Sequence, residues 1–452
     1  MAATHGSNLV VKQVNIGEPL DFSIETLGPC EFDSPFINDG KNFVDDANMI
    51  SYYHFLEHME EYRRKFGDPV PQFEVAGPRR KIYFDPSKTT CAVVNCGGLC
   101  PGLNNVIRAI VFTAGLYKVK NILGIPYGYE GLTPKFGHNL KILNEYSVSD
   151  IHTQGGTMLG SSRGPQNVSE MVSFLVENKI DILFTIGGDG TTRGALEISQ
   201  ELKRLGHKIA VVGIPKTIDN DINFVEKTFG FETAVMEAKR AIDSAHTEAK
   251  GAFNGISIVK LMGRDSGYIA AHTVLASMDV NICLVPEIDF DFEGPNGLFE
   301  TVARRLQHKK HCVIAVAEGA GQKFFANAGQ KDASGNVKHG DIGILLKDRI
   351  SAHFREHPLR PVVKYIDPSY LIRSVPASAI DALFCLRLGQ AAVHAAMAGK
   401  TAMMAGYWSR IFNHVPMHCA ISTRRKIHPD SLLWESVLEV TRQPRNMVLK
   451  DL

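Results

Sequence analysis

The chain has no long hydrophobic run. None of its apolar stretches approaches the ~18–20 residues needed to span a bilayer, so no membrane partner is expected. It has no surplus of charge either. Its 49 Lys and Arg stand against 48 Asp and Glu, a formal net charge of +1. That gives no support to a nucleic-acid or membrane-surface role. Eight cysteines are present (Cys30, Cys91, Cys96, Cys100, Cys283, Cys312, Cys385 and Cys419), but they form no paired CxxC framework. Zinc and redox chemistry are not expected. Cys91, Cys283 and Cys312 lie within apolar strand-like runs, where Cys acts as a small hydrophobe. The N-terminus lacks the basic-then-apolar order of a secretory signal. The end, Leu449-Lys-Asp-Leu452, is neither an ER-retention nor a peroxisomal signal. Cytoplasmic residence is the expectation. Two nucleotide fingerprints are also missing. There is no GxGxxG with a ribose-binding acid at the right distance, which argues against a dinucleotide oxidoreductase, and no GxxxxGK[ST] P-loop.

What is present is ordinary in bulk and specific in its loops. The 452 residues are 44% hydrophobic and 21% charged, with 40 glycines. That suits a globular chain of about two to three domains at roughly 150 residues each, with many strand–loop–helix corners. The central stretch is Asp181-Ile-Leu-Phe-Thr-Ile-Gly-Gly-Asp189-Gly190-Thr191-Thr-Arg-Gly194. Ile182 to Ile186 reads as a buried strand. It stops at Gly187-Gly188, and a helical pattern begins near Thr191. Asp189 therefore falls at the carboxyl end of a strand and just before a helix, where open α/β sheets bind ligands. Free N–H groups there attract anions, and glycines allow close approach of a phosphate. A carboxylate in that position fits a Mg²⁺ that bridges to phosphate oxygens. A helix-capping Asp in a tight turn is the plainer alternative.

Strands and helices alternate from about Thr90 onward. The pattern predicts strands at 92–95, 122–127, 208–214, 255–261, 281–286, 311–318 and 361–365. It predicts helices at 106–116, 168–177, up to 205, and 232–249. The expected fold is α/β, with two doubly wound, mainly parallel-sheet lobes and an N-terminal extension. The expected division is an extension over 1–85, a phosphate-donor lobe over 86–230 plus 372–422, a sugar-phosphate lobe over 231–371, and a C-terminal segment over 423–452. Residues 1–85 are expected to wrap the body or a neighbouring subunit, since the apolar pattern from Ile50 to Phe66 argues against complete disorder.

Four strand ends carry compatible chemistry. Gly97-Gly98 with Pro101-Gly102 and Asn104 is a glycine loop leading into a helix. Gly160-Ser-Ser-Arg163 presents a guanidinium able to stabilise a transferring phosphoryl group. Gly188-Asp189-Gly190-Thr191 is the third. In Pro215-Lys216-Thr217-Ile-Asp219-Asn-Asp221 two carboxylates stand two residues apart, on one side if the segment is extended. One can take a hydroxyl proton while the other organises a metal-bound water. Two further loops look like substrate holders, Met262-Gly263-Arg264 and Glu318-Gly319. Lys364, Tyr370 and Arg373 place two cations and a phenol within ten residues, which suits a sugar phosphate.

In these ordered motifs, over roughly residues 90–422, the chain resembles the 6-phosphofructokinase family. Gly-Gly-Asp-Gly-Thr alone occurs in NAD and diacylglycerol kinases too. Thr217-Ile-Asp-Asn-Asp221 plus Met262-Gly-Arg264 sets this chain apart, and Pro-Lys-Thr-Ile-Asp-Asn-Asp with Lys364-Tyr-Ile-Asp-Pro-Ser-Tyr370 is similar to the plant and trypanosomal subgroup. The resemblance implies Mg²⁺-dependent phosphorylation of fructose 6-phosphate at O1 in glycolysis. It implies Asp219 as general base, Arg163 and Arg264 on the phosphoryl group in flight, and Thr217 and Asp221 shaping the site. Gly98, Gly188, Gly190, Thr191 and Lys216 would line the donor site, and Asp189 would hold the metal. Met262, Gly263, Glu318, Lys364, Tyr370 and Arg373 would hold the sugar phosphate. It further implies allosteric control and a homotetramer.

Pyrophosphate-using members usually carry Asp where this chain has Gly190, and Lys where it has Lys216. Many ATP users carry Gly at both. The mixed pattern favours ATP, because Gly190 leaves room for the α-phosphate, while Lys216 keeps pyrophosphate open. A non-catalytic sugar-phosphate-binding subunit is the other alternative, and the joint presence of Asp189, Asp219 and Arg163 argues against it. Gly255 stands where bacterial enzymes place an arginine reaching a neighbour's sugar phosphate. Arg108 matches a bacterial effector-site arginine, but Phe112 replaces another.

Overall fold

The computed structural model describes residues 18–37, 42–325 and 339–449. The first 17 and last three residues, on which the targeting expectations partly rest, lie outside the described residues, as do parts of the expected extension and C-terminal segment. The described chain forms two compact units, one of residues 18–232 and 373–424, the other of residues 233–372 and 425–449. Among the described residues no helix is long and apolar enough to cross a membrane.

The first unit is built on a seven-stranded sheet. Its order is Ile411–Pro416, Met403–Trp408, Ala210–Pro215, Ile182–Gly187, Thr90–Asn95, Asn121–Ile125, Lys141–Ile142. The inner pairs are parallel and the two outermost pairs antiparallel. Every residue of Thr90–Asn95, Ile182–Gly187 and Ala210–Pro215 is buried. A parallel strand covered on both faces explains why these read as unbroken apolar runs rather than alternating ones. The helix Asp189–Leu205 buries Ala195, Ile198 and Leu202 and ends on Gly206, whose φ of 79° is the left-handed geometry a glycine C-cap supplies.

Residues 18–37 and 42–85 fold onto this unit. Glu25–Thr26 pairs with Lys400–Thr401. Phe22 and Phe73 share a core with Met404 and Val415. Beneath them Glu74 accepts from Arg79 Nη2 at 2.6 Å and lies 2.8 Å from Lys400 Nζ and 3.1 Å from His414 Nδ1. Burial pushes the Glu74 carboxyl up, but His414 and Lys400 outweigh it and bring it down to about 2.

The second unit carries a four-stranded, all-parallel sheet in the order Ile282–Leu284, His311–Ala317, Gly255–Leu261, Val363–Ile366. The helix Phe231–Lys250 leads into it. Its core joins Ile256, Ile258, Ile314 and Val316 to Leu298, Val302, Leu306, Leu346 and Ile350 of two helices. Residues 425–449 complete this unit. Gln443 bonds both backbone groups of Cys283, its Oε1 accepting at 2.6 Å and its Nε2 donating at 3.1 Å.

Candidate active site

In the first unit, strand register sets the site. Asn95 lies opposite Ile186, and Gly187 opposite Pro215. Three strands thus end level, and the loops after them emerge side by side at the carboxyl edge. Backbone bonds tie them. Cys96 N donates to Ile186 O at 3.0 Å, Gly97 N to Ser162 O at 2.9 Å, and Lys216 N to Gly187 O at 2.9 Å. Ser161 Oγ donates to Gly97 O at 2.7 Å. The guanidinium of Arg163 lies 3.1 Å from where a Cβ on Gly98 would be, and that of Arg373 at 3.8 Å. Gly98, Arg163 and Arg373, expected in three separate roles, come together here.

The helix behind Gly188 starts at Asp189, two residues earlier than the sequence pattern indicated, with Gly188 as N-cap. Asp189 is therefore in the first turn and is not the cap. The first turn offers unpaired N–H groups and the positive end of the helix dipole. Gly190 is exposed, and a Cβ added there would meet nothing within 4 Å. Neither packing nor a positive φ demands glycine at this position. Thr191 is 7% exposed, and its side chain packs under Gly187, whose Cβ would meet Thr191 Oγ1 at 2.1 Å. Toward a ligand Thr191 offers its backbone rather than its hydroxyl.

Lys216 is buried, and its Nζ donates to Gly98 O at 2.8 Å. Burial holds its ammonium below the usual range, against the pull of the Cys100, Cys96 and Asp219 side chains. The next residues are not extended, as the two-residue carboxylate spacing had assumed. They turn at Ile218-Asp219, and Asn220 takes φ 55°. Asn tolerates that conformation better than most side chains, and Asn220 Oδ1 secures it by accepting from Thr228 N at 2.9 Å. The hinge of the turn is Thr217. Its Oγ1 donates to Asp221 Oδ1 at 2.8 Å and accepts from Asp219 N at 3.1 Å.

Two arginines that sequence reasoning missed stand on Asp189. Arg193 Nε donates to Asp189 Oδ2 at 3.2 Å. Arg424 Nη2 lies 3.7 Å from Asp189 Oδ2, and its Nη1 lies 3.8 Å from Asp221 Oδ2. Asp189 and Asp221 thus already share one cation. Among the described residues no cluster of three His, Cys, Asp or Glu side chains is placed to hold a metal. One or two carboxylates completed by substrate phosphates and water is the donor set Mg²⁺ ordinarily takes, so Asp189 with Asp221 fits that ion.

The second unit repeats the strand-end logic. Leu261 pairs with Ala317 at the ends of adjacent strands. Glu318 N donates to Leu261 O at 2.9 Å, and Gly319 N to Gly263 O at 3.0 Å. This locks Met262-Gly263-Arg264 against Glu318-Gly319. The approach is tight, for a Cβ on Gly319 would lie 1.9 Å from Arg264 O. Lys260, also missed, sits just before this turn with Asp341 Oδ2 at 2.7 Å and Asp367 Oδ2 at 2.8 Å. Burial pushes Lys260 down, and its bonds to Asp341, Asp367 and Tyr365 reverse that and hold it above its usual range. Lys364 pairs instead with Glu248 and lies two residues before the end of its strand. Tyr370 is 74% exposed in the short helix Ser369–Arg373.

The phosphofructokinase family profile matches residues 90–396. An ATP-dependent 6-phosphofructokinase of Borreliella burgdorferi is 49% identical over 443 residues, covering 95% of this chain and 98% of that protein. One of Trypanosoma cruzi is 49% identical over 372 residues, covering 81% of this chain and 76% of that protein. Among solved structures, a pyrophosphate-dependent phosphofructokinase from Marinobacter aquaeolei matches with a TM-score of 0.64 at 19% identity, covering 80% of this chain and 94% of that one. At that identity the likeness is one of fold. The family match over two thirds of the sequence and the near full-length relative together show that this chain belongs to the phosphofructokinase family.

Proposed function

We propose that this chain is an ATP-dependent 6-phosphofructokinase, transferring the γ-phosphoryl group of ATP to O1 of fructose 6-phosphate and yielding fructose 1,6-bisphosphate. The observation that carries the donor assignment is the open space at Gly190. It lies in the first turn of a helix whose free N–H groups suit phosphate oxygens. Lys216, the feature shared with pyrophosphate users, directs its ammonium to the carbonyl of Gly98 and braces the glycine loop from within. That use leaves Gly190 as the discriminating position.

In this reading Asp219 accepts the proton of the sugar 1-hydroxyl as its oxygen attacks phosphorus. Thr217 holds the turn that aims Asp219 and binds Asp221. Arg163 and Arg264 meet charge as it spreads over the transferring phosphoryl oxygens, which is where positioning and electrostatics contribute most to this reaction. Gly98 and Gly188 admit the donor phosphates to the backbone, and the Thr191 N–H faces them. Met262, Gly263, Glu318, Tyr370 and Arg373 hold the sugar phosphate. Lys364 joins them by exchanging Glu248 for a phosphate oxygen. Asp189, with Asp221, would hold Mg²⁺, which supplies charge neutralisation of the donor phosphates. The reading extends to the family's homotetramer, allosteric control and cytoplasmic location.

The test is ³¹P NMR of the full chain with fructose 6-phosphate, ATP and Mg²⁺. A new phosphomonoester on C1 with matching ADP is expected. ATP hydrolysis without a sugar bisphosphate, or no turnover by folded protein, would overturn it.

A further inference from the structure

Residues 421–424 cross both acid-bearing turns of the first unit. Arg193 Nη2 donates to Ile421 O at 2.9 Å. Asn223 Nδ2 donates to Thr423 Oγ1 at 2.8 Å, and Arg424 forms an antiparallel bridge with Ile222. This backbone docking delivers the Arg424 guanidinium between Asp189 and Asp221. Its separations of 3.7 and 3.8 Å from their Oδ2 atoms exceed hydrogen-bond length. It therefore balances the two carboxylates by charge, without a directional bond to either. Arg193 donates two hydrogen bonds, at 3.2 Å to Asp189 and 2.9 Å to Ile421 O.

Asp189 and Asp221 both lie within 4 Å of one guanidinium, and the like charges of two neighbouring carboxylates are offset by a cation between them. Asp221 is 7% exposed, so water screens it poorly. Asp189 keeps Arg193 as a second partner, and the cation it shares with Asp221, Arg424, occupies the position a divalent ion would take. We propose that Arg424 is a stand-in cation: it holds Asp189 and Asp221 in place while no metal is present, and it yields that position when a divalent ion binds. Arg424 thereby lowers the site's affinity for free metal and keeps the acids from collapsing apart between turnovers. It is a positioning residue in this role, acting through the two carboxylates. The proposal rests on the reading of Asp189 as the metal-holding acid.

The test measures Mn²⁺ binding to the full chain by electron paramagnetic resonance, without nucleotide or sugar. The R424Q variant is expected to bind Mn²⁺ about three- to fivefold more tightly than wild type, the size set by a partly exposed ion pair. R424K, which keeps the charge, is expected to bind as wild type does. Unchanged or weaker Mn²⁺ binding by R424Q would overturn the proposal. So would equal tightening by R424K, which would mean that shape rather than charge matters. A raised KM for ATP in R424Q with unaltered Mn²⁺ affinity would make Arg424 a phosphate contact and overturn it too. D189N separates the two layers. If D189N leaves Mn²⁺ affinity intact, the metal reading itself fails. If D189N weakens binding while R424Q does not tighten it, only the stand-in role fails.

Discussion

Replacing Gly190 by Asp isolates the donor preference from stability. A Cβ at this position meets no protein atom within 4 Å, so the new side chain displaces nothing. Gly190 lies in the first turn of the helix Asp189–Leu205. Asp is only a slightly better helix former than Gly, by about a few tenths of a kcal/mol, and a carboxylate in a first turn adds about 0.3–1 kcal/mol from the helix dipole. Nearby Asp189 offsets part of this by like-charge repulsion. The folded protein should therefore be at least as stable as wild type. The ligand meets the opposite sign. A carboxylate ~4 Å from an α-phosphate oxygen interacts at about 4 kcal/mol with an effective dielectric constant of ~20. Halving that for the exposure of the site leaves about 2 kcal/mol, or ~30-fold. The expected outcome is a fall of about 30-fold or more in kcat/KM for ATP, with Tm unchanged or higher. Donor kinetics and a thermal melt on the same preparation measure both. A kcat/KM for ATP within threefold of wild type would mean that the open space at Gly190 is not where the nucleotide lies.

Other substitutions probe other links. Asp219→Ala is expected to lose ~100-fold or more in kcat with modest change in substrate affinity, the range for a general base; near-wild-type turnover would remove Asp219 from that role. Gly319→Ala puts a Cβ 1.9 Å from Arg264 O, and displacing that turn by ~1 Å should cost about 100-fold in kcat/KM for fructose 6-phosphate. Retained kcat/KM would mean that the Arg264 turn does not position substrate. The Glu74 carboxyl, brought down from 4.5 to about 2 in the fold, contributes stability that is present above its unfolded pKa and lost as pH falls through the folded one. A difference of about 2.5 units at ~1.36 kcal/mol each is about 3 kcal/mol. The stability gap between wild type and Glu74→Gln should therefore shrink by about that amount between pH 4.5 and 2, and a constant gap in urea melts would contradict the assignment.

The site's frame was legible because its strands are buried on both faces. Ile182–Gly187 is an apolar run stopped by glycine, and such a run has few other readings. The helix Val168–Glu177 likewise matched its expected limits, helped by Asn167, whose side chain caps Glu170 N. The helix start at Asp189 lies two residues ahead of the apolar pattern because Gly190 is a weak helix former, although Gly188 supplies the cap. The Asp219 turn carries no local signal, because its conformation depends on a bond from Thr228 N to Asn220 Oδ1, eight residues apart. Arg193, Lys260 and Arg424 carried no local signal. Arg424 is 235 positions from Asp189 in sequence and meets it through long-range ties such as the isolated bridge at Ile222 and the Asn223–Thr423 hydrogen bond. The folding of residues 18–37 and 42–85 was hidden for a similar reason. Its strands are two or three residues long, too short to show a period; Glu25–Thr26 pairs with Lys400–Thr401, and the others pair within the region, Phe32–Asp33 with Lys81–Ile82 and Met49–Ser51 with Gln72–Glu74.

The donor assignment makes ATP the phosphoryl source for fructose 6-phosphate and Gly190 the residue that decides it. Its most direct test is fructose 1,6-bisphosphate formation by the wild-type chain with Mg²⁺, with ATP and pyrophosphate supplied separately. Turnover with ATP and none with pyrophosphate is the predicted result. Turnover with pyrophosphate alone would contradict it and make Lys216, rather than Gly190, the residue that selects the donor.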